Sequence, residues 1–139
     1  MILRFSVALF VLSAATAHAD VIPACAPPSG VRVHAFTDLP AGLKQALEAK
    51  LGDMALPGQP FDATDVVTSA HPVFRRGIFV WSRGTRWIVA TEHGGIAYDD
   101  PVLAYDVDAD GIASLVAVRG AVPNTVCVTA KGLLDAKRP

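Results

Sequence analysis

The stretch from residue 77 to residue 118 constrains the fold more than any other part of the chain. It contains four apolar runs, and residues that favour turns separate each run from the next. Arg83-Gly84 stands in the first connection and Asp110-Gly111 in the last, and Asp-Gly between apolar runs is a strong hairpin signal. Strands joined by such short turns pair antiparallel, so the stretch predicts a four-stranded meander.

The first hairpin of this meander is apolar on both faces. With Arg83 and Gly84 as its turn residues, Trp81 lies opposite Arg86 across the strands. The alternation puts Trp81 and Ile88 on one face and fills the other face with valine and tryptophan. A strand pair that is apolar on both faces belongs in the middle of a sheet, so we expect this hairpin to be covered on both sides.

The second hairpin has a predicted register as well. With its Asp-Gly pair as the turn, Leu103 lies opposite Val118 and Val107 lies opposite Ser114. The other face of this hairpin carries small side chains, among them Ala104. Small side chains would let a covering helix or loop approach closely.

The remaining segments add outer strands and a helix. The repeat of Leu43, Leu47 and Leu51 at steps of four indicates an amphipathic helix that ends near Gly52. Because strands follow one another without helices between them, the predicted class is α+β. The predicted elements are strands at about 31–36, 77–82, 86–92, 102–108, 112–118 and 124–129, a less regular strand at 65–69, and the helix at about 39–51.

The N-terminus has the pattern of a secretory signal peptide. Arg4 precedes an apolar run at 5–15, and Ala17-His18-Ala19 is a small-x-small cleavage site. Residues 1–19 are therefore predicted to be removed, which leaves 20–139 as one small domain in the periplasm or outside the cell. The apolar run is too short to span a membrane, and no later segment approaches that length.

Cys25 and Cys127 are the only cysteines of the chain. In an oxidising compartment an even number of cysteines is most simply explained by a disulfide. This disulfide would close a loop of about one hundred residues and stabilise the fold by about 4–5 kcal/mol in the chain-entropy description. One alternative is two unpaired thiols. Another is lipid modification of Cys25, because the residues before it faintly resemble a lipoprotein box.

The loop from residue 92 to residue 101 is the main candidate site. It is long for a hairpin connection, and long loops often carry function. It concentrates acidic, histidine and tyrosine side chains beside two glycines: Glu92, His93, Tyr98, Asp99 and Asp100. Histidine with carboxylates can act as an acid/base pair, although the pattern fixes no nucleophile. Recognition of a partner is therefore the preferred prediction for this loop.

A second candidate is the run of alternating carboxylates at Asp106, Asp108 and Asp110. Three such carboxylates followed by glycine open a calcium loop of the EF-hand type. The twelfth position of that loop requires a glutamate, and Ala117 stands there. The histidines of the mature chain, at positions 34, 71 and 93, lack metal-binding spacing. The preferred interpretation is therefore that these aspartates belong to a solvated hairpin turn.

These observations predict an exported, non-enzymatic binding module, such as an envelope accessory protein or an inhibitor or immunity-type protein. The chain carries 12 basic and 13 acidic residues, a balance that does not favour nucleic acid or an anionic membrane. Its expected partner is another envelope or secreted protein, bound by the 92–101 loop together with the acidic turn at 106–110, and no cofactor is implied. The alternatives are a small hydrolase using the 92–101 loop and a calcium-stabilised structural domain.

Overall fold

The four apolar runs of residues 77–118 form four consecutive strands of one antiparallel sheet. The structure, a computed structural model, describes residues 24–64, 73–95 and 98–137. A short N-terminal strand pairs with the first of the four, so the sheet order is β1-β2-β3-β4-β5. The strands are β1 (Arg32–His34), β2 (Arg75–Arg83), β3 (Arg86–His93), β4 (Val102–Val107) and β5 (Ala113–Arg119). The predicted α+β meander is confirmed.

Helix α1 (Ala41–Leu51) covers one face of this sheet. It begins after Pro40, which follows a short 3-10 turn, and it ends at Gly52, whose positive φ of 71° suits glycine. Its leucine stripe, predicted from the steps of four, is buried against the sheet. The sheet residues on this face include Val80, Val89 and Leu103.

The predicted strand at 124–129 is wrong, because this segment begins helix α2 (Val126–Asp135). Its valines and threonines favour a strand locally. However, Val126, Ala130 and Leu133 are buried at helical spacing, so packing overrides the local preference. Helix α2 covers the second face of the sheet, where it packs on Trp81 and its neighbours. The expectation that the central hairpin is covered on both sides is therefore confirmed.

The first hairpin turns one residue later than predicted. Arg83 pairs with Arg86, and Trp81 pairs with Ile88, so Gly84 and the residue after it form the turn. Gly84 has a φ of 59°, which glycine adopts without strain. Trp81 and Ile88 still share a face, as predicted, and both lie in the cluster under α2.

The second hairpin has the predicted register only in the half that lies away from its turn. Leu103 pairs with Val118, as predicted, but Val107 pairs with Ala113 rather than with Ser114. An irregularity between these pairs leaves one additional residue on β5, as in a β-bulge. The additional residue in the bulge accounts for the shift of one residue between the predicted and the observed pairing near the turn.

Cys25 and Cys127 form a disulfide with a Cα–Cα distance of 5.4 Å. It joins the N-terminal arm to α2, so the predicted pairing is confirmed, and the sulfur of Cys25 is not open to a lipid. No helix within the described ranges is long and apolar enough to cross a membrane. The predicted signal peptide at 1–19, the strand at 65–69 and the histidine at 71 lie outside the described residues.

A close approach of backbones fixes α1 on the sheet, and it generates a prediction. A Cβ added at Gly42 would overlap the carbonyl oxygen of Gly111 in the β4–β5 turn. Gly42→Ala should therefore lower the free energy of unfolding by about 1–3 kcal/mol, measured by urea denaturation.

The matched control is Gly132→Ala in α2. Outside the helix's own backbone and the adjacent residues, no described atom lies within 4 Å of a Cβ added there, so alanine should leave stability unchanged or raise it by up to about 1 kcal/mol. Equal stability of the two variants would contradict the tight packing of α1 against the turn.

Candidate functional site

The loop between β3 and β4 is built around a buried carboxylate. Glu92 lies at the end of β3 and is 2% exposed. Arg76, its cross-strand partner on β2, donates from Nε to Glu92 Oε1 in an ion pair. The hydroxyl of Tyr98 donates to Glu92 Oε2 at 2.8 Å, and burial together with this bond raises the pKa of Tyr98. Both oxygens of Glu92 are thus occupied.

Asp100 is a second buried carboxyl in the same loop. It is 0% exposed, and within the described part of the chain neither of its carboxyl oxygens has a hydrogen-bond partner. Burial, together with the nearby charges of Glu92 and Asp99, raises the pKa of Asp100 to about 6. Its backbone N–H donates to the carbonyl of Ala121 at 2.9 Å, which holds the residue beneath the surface.

His93 and Asp99 are the members of the loop that face solvent. Their backbones pair across the loop, with His93 N donating to Asp99 O at 2.8 Å and Asp99 N donating to His93 O at 3.2 Å. The imidazole Nδ1 lies 3.5 Å from a carboxylate oxygen of Asp99. This bridge narrows the neck of the loop and leaves both side chains partly exposed.

The five candidate residues of this loop are therefore brought together, but they divide into two groups. Glu92 and Asp100 are buried, and the Glu92 carboxylate, which is bound by Arg76 and Tyr98, holds the loop in place. Only the histidine and its aspartate neighbour are available to a partner. A binding role for the loop stays a prediction.

The three aspartates of the calcium candidate are engaged in different ways. Asp106 accepts from Arg86 at 2.8 Å, and the same arginine donates to the carbonyl of Leu133 in α2 at 3.0 Å. Asp108 Oδ1 accepts from the backbone N–H groups of Asp110 and Ile112, as in an Asx turn. Among the described residues no three His, Cys, Asp or Glu side chains are grouped to hold a metal ion.

The 92–101 loop and the 106–110 turn lie at opposite ends of the sheet. They are joined by the six residues of β4, a strand about 17–20 Å long. The expectation that they form one acidic binding surface is therefore wrong. The antiparallel order of β3, β4 and β5 requires this separation, because consecutive connections alternate between the two ends.

The sequence analysis missed a different surface, the outer edge of β5. This strand has seven residues, and within residues 24–64, 73–95 and 98–137 it pairs with β4 alone. Leu115 and Val118 are 43% and 38% exposed along it. The opposite edge is less open, because β1 has three residues and Ala55 hydrogen-bonds with β2 beyond it. A sequence pattern shows exposed apolar residues, but only the strand order shows which strand is at the edge.

A shallow cleft of about 270 Å³, largely open to solvent, lies beside this edge, between α1 and β5. Its lining is formed by three alanines together with a lysine, a tyrosine and a leucine: Ala46, Ala49, Lys50, Tyr105, Ala113 and Leu115. Tyr105 is buried, burial raises its pKa, and its hydroxyl has no hydrogen-bond partner among the described residues. We call the β5 edge and this cleft together the β5 site.

The buried carboxyl of Asp100 generates a prediction about pH. Its pKa is 3.8 in an ordinary setting and about 6 in the folded protein, so the folded state keeps a proton that the unfolded chain has lost between these values. The free energy of unfolding should therefore fall as the pH rises from about 4 to about 6. Asp100→Asn should remove this loss and stabilise the protein by up to about 3 kcal/mol at about pH 7.5.

The measurement is urea denaturation across that pH range, with Asp110→Asn as the control. Asp110 is exposed in a turn, so its variant should follow the pH dependence of the natural protein. An Asp100→Asn variant that keeps the same pH dependence would show that this carboxyl is not the group that titrates.

Comparison of the chain with protein-family models, curated proteins and solved structures finds no match. Fold likeness and relatives therefore supply no activity, and a function has to rest on surfaces and side chains. The two features that stand out are a locked acidic loop at one end of the sheet and an open strand with a cleft along one edge.

Proposed function

We propose that the protein is an exported, non-enzymatic binding module that takes an extended segment of another envelope or secreted protein along β5. The observation that carries this proposal is the seven-residue strand β5, which has no neighbouring strand on its outer side among the described residues. Such groups form main-chain hydrogen bonds with an added strand, and adjacent pockets select its side chains.

The amino-acid composition of β5 supports the proposal that this edge strand is available for pairing with a partner. Natural proteins protect long edge strands with lysine, proline or a covering loop. Residues 113–119 contain no lysine or proline, and their single charge is Arg119 at the end. The strand contains a bulge, which leaves Leu115 and Val118 exposed on the same side as α1. An apolar, unpaired strand of this length is typical of a protein-binding surface.

The disulfide supports the location in the proposal. Disulfides persist in oxidising compartments such as the periplasm and the extracellular space, so a partner in the same compartment is the natural one. Two features of the 92–101 loop favour binding over hydrolysis. Glu92 is held by an ion pair and a tyrosine, and Asp100 is shielded from solvent.

The proposal predicts that charges placed on the β5 edge weaken the binding of an extended peptide. The probe is a soluble peptide of about nine residues with alternating threonine and valine. The double variant Leu115→Lys/Val118→Lys should weaken its binding at least about tenfold, measured by fluorescence anisotropy, because it charges the docking strand. In the natural protein, hydrogen exchange should show new protection of β5 amides when the peptide is bound.

The matched control is Val128→Lys, which makes the same chemical change at a residue of α2 that is 70% exposed. This variant should bind the peptide normally. Peptide binding that survives the double variant, or protection confined to other strands, would overturn the proposal. A mature protein that is dimeric by light scattering and becomes monomeric in the double variant would show that a second copy occupies the edge, which also contradicts it.

A further inference from the structure

We infer that the carboxyl group of Asp100 regulates the binding of a segment along β5. When this carboxyl is protonated, the end of β5 is held on β4, and when it ionises, this end is released. The inference rests on the proposed function and goes further by assigning a regulation to the same edge. It stands on the place of Asp100 in the register of the sheet, the burial of its carboxyl oxygens and the charges around them.

Asp100 continues the pairing of β4 with β5 beyond the ends of the two strands. Val102 pairs with Arg119 at this end of the sheet. Two residues farther out on each chain, the backbone N–H of Asp100 donates to the carbonyl oxygen of Ala121 at 2.9 Å, which keeps the same register. Val118, one of the exposed apolar residues of the docking edge, lies next to this end. The hydrogen bond at Asp100 therefore supports the part of β5 that a docking segment would contact.

The carboxyl group of Asp100 is buried without compensation. The residue is 0% exposed, and neither carboxyl oxygen has a hydrogen-bond partner among the described residues. Such a place tolerates a neutral carboxyl much better than a carboxylate, because the carboxylate loses the hydration of its charge on burial. Ionisation of Asp100 therefore favours an opening that lets water reach these oxygens.

The acidic loop around Asp100 acts in the same direction. Burial together with the negative charges of Glu92 and Asp99 raises the pKa of Asp100 to about 6. Arg76 of β2 is bound to Glu92, and Tyr98, which also donates to Glu92, has a raised pKa and stays neutral. These two donors are therefore already engaged by Glu92.

The elements on the other sides carry few charged groups. His93 lies beside Asp99, with its Nδ1 3.5 Å from the carboxylate. Residues 113–130 include β5 and the first turn of α2, and the one charged residue among them is Arg119, whose Nη1 donates to the carbonyl of Val118. The closed state therefore favours a protonated Asp100, and it weakens as the pH rises through about 6.

The loop is attached more firmly to β3 than to the end of β5. Three backbone hydrogen bonds join it to β3, one of them from Thr91 N to the carbonyl of Pro101 at 3.0 Å. In the described part of the chain, the bond from Asp100 to Ala121 alone joins it to the segment after β5. Opening should therefore separate the loop from the end of β5 and leave its attachment to β3 in place.

An added strand needs an ordered edge to pair with. Release of Ala121 lets residues 118–121 fray from β4, so a docking segment would have to order them again. The threonine–valine peptide with both ends blocked carries no titratable group, so any pH dependence of its binding comes from the protein. The natural protein should bind it about fivefold more tightly at about pH 5 than at about pH 7.5.

The first test needs neither a peptide nor a variant. Amide hydrogen exchange of the natural protein, corrected for the intrinsic effect of pH, should show protection of the Asp100 amide that falls about tenfold between about pH 5 and about pH 7.5. Protection that does not change with pH would overturn the inference. In Asp100→Asn, which cannot ionise, the protection of this amide should be independent of pH.

The second test measures binding of the blocked peptide by fluorescence anisotropy at both pH values. Asp100→Asn should bind it equally at the two values, and thermal unfolding of each variant confirms that it is folded. The matched control is Asp110→Asn, the same change at an exposed aspartate at the opposite end of the sheet, which should keep the natural pH dependence.

The outcomes separate the regulation from the proposed function. Peptide binding that is equal at both pH values in the natural protein, or a pH dependence that persists in Asp100→Asn, would overturn the regulation and leave the proposed function standing. Absence of binding at both pH values would overturn both.

Discussion

The structure depends on a sheet that is buried on both of its faces. Ile88, Val89 and Ala90 follow one another in β3, and all three are fully buried although their side chains alternate between the faces. Both faces of such a strand have to be covered, since exposing either face to water would expose apolar surface and cost free energy. The two helices are therefore required, and the disulfide ties one of them to the N-terminal arm.

This arrangement decides which surfaces remain for binding. With both faces covered, the backbone of the sheet can be reached only at its edges, and these differ in length. The β1 edge is short and is continued by Ala55, whereas β5 is seven residues long and, in the part of the chain that the structure describes, pairs on one side only. Helix α1 covers the sheet beside β5 with alanines, so the covering layer itself shapes the cleft along the open edge.

The fold could be predicted wherever a local pattern agreed with tertiary packing. The leucine stripe of α1, the four strands of the meander and the pairing of Leu103 with Val118 follow from periodicity and turn residues. The segment at 124–129 could not be assigned correctly, because its β-branched residues favour a strand and only their burial against Trp81 favours a helix. The turn at Gly84 was misplaced by one residue for a related reason, since glycine suits more than one turn position.

The candidate site was less predictable because burial separates residues that are alike in sequence. Asp99 and Asp100 are neighbours of the same type, yet one lies beside His93 near the surface and the other is buried with a raised pKa. In the sequence, Tyr105 is an ordinary aromatic residue of a strand. Only the packing of α1 over it shows that its hydroxyl is buried without a hydrogen-bond partner among the described residues. An acidic loop is easily chosen as a candidate site from the sequence, because the sequence shows directly which residues carry charge. The amino-acid sequence of a strand does not show whether the strand lies at the edge of the sheet. The surface that best fits a partner can therefore be recognised only from the order of the strands.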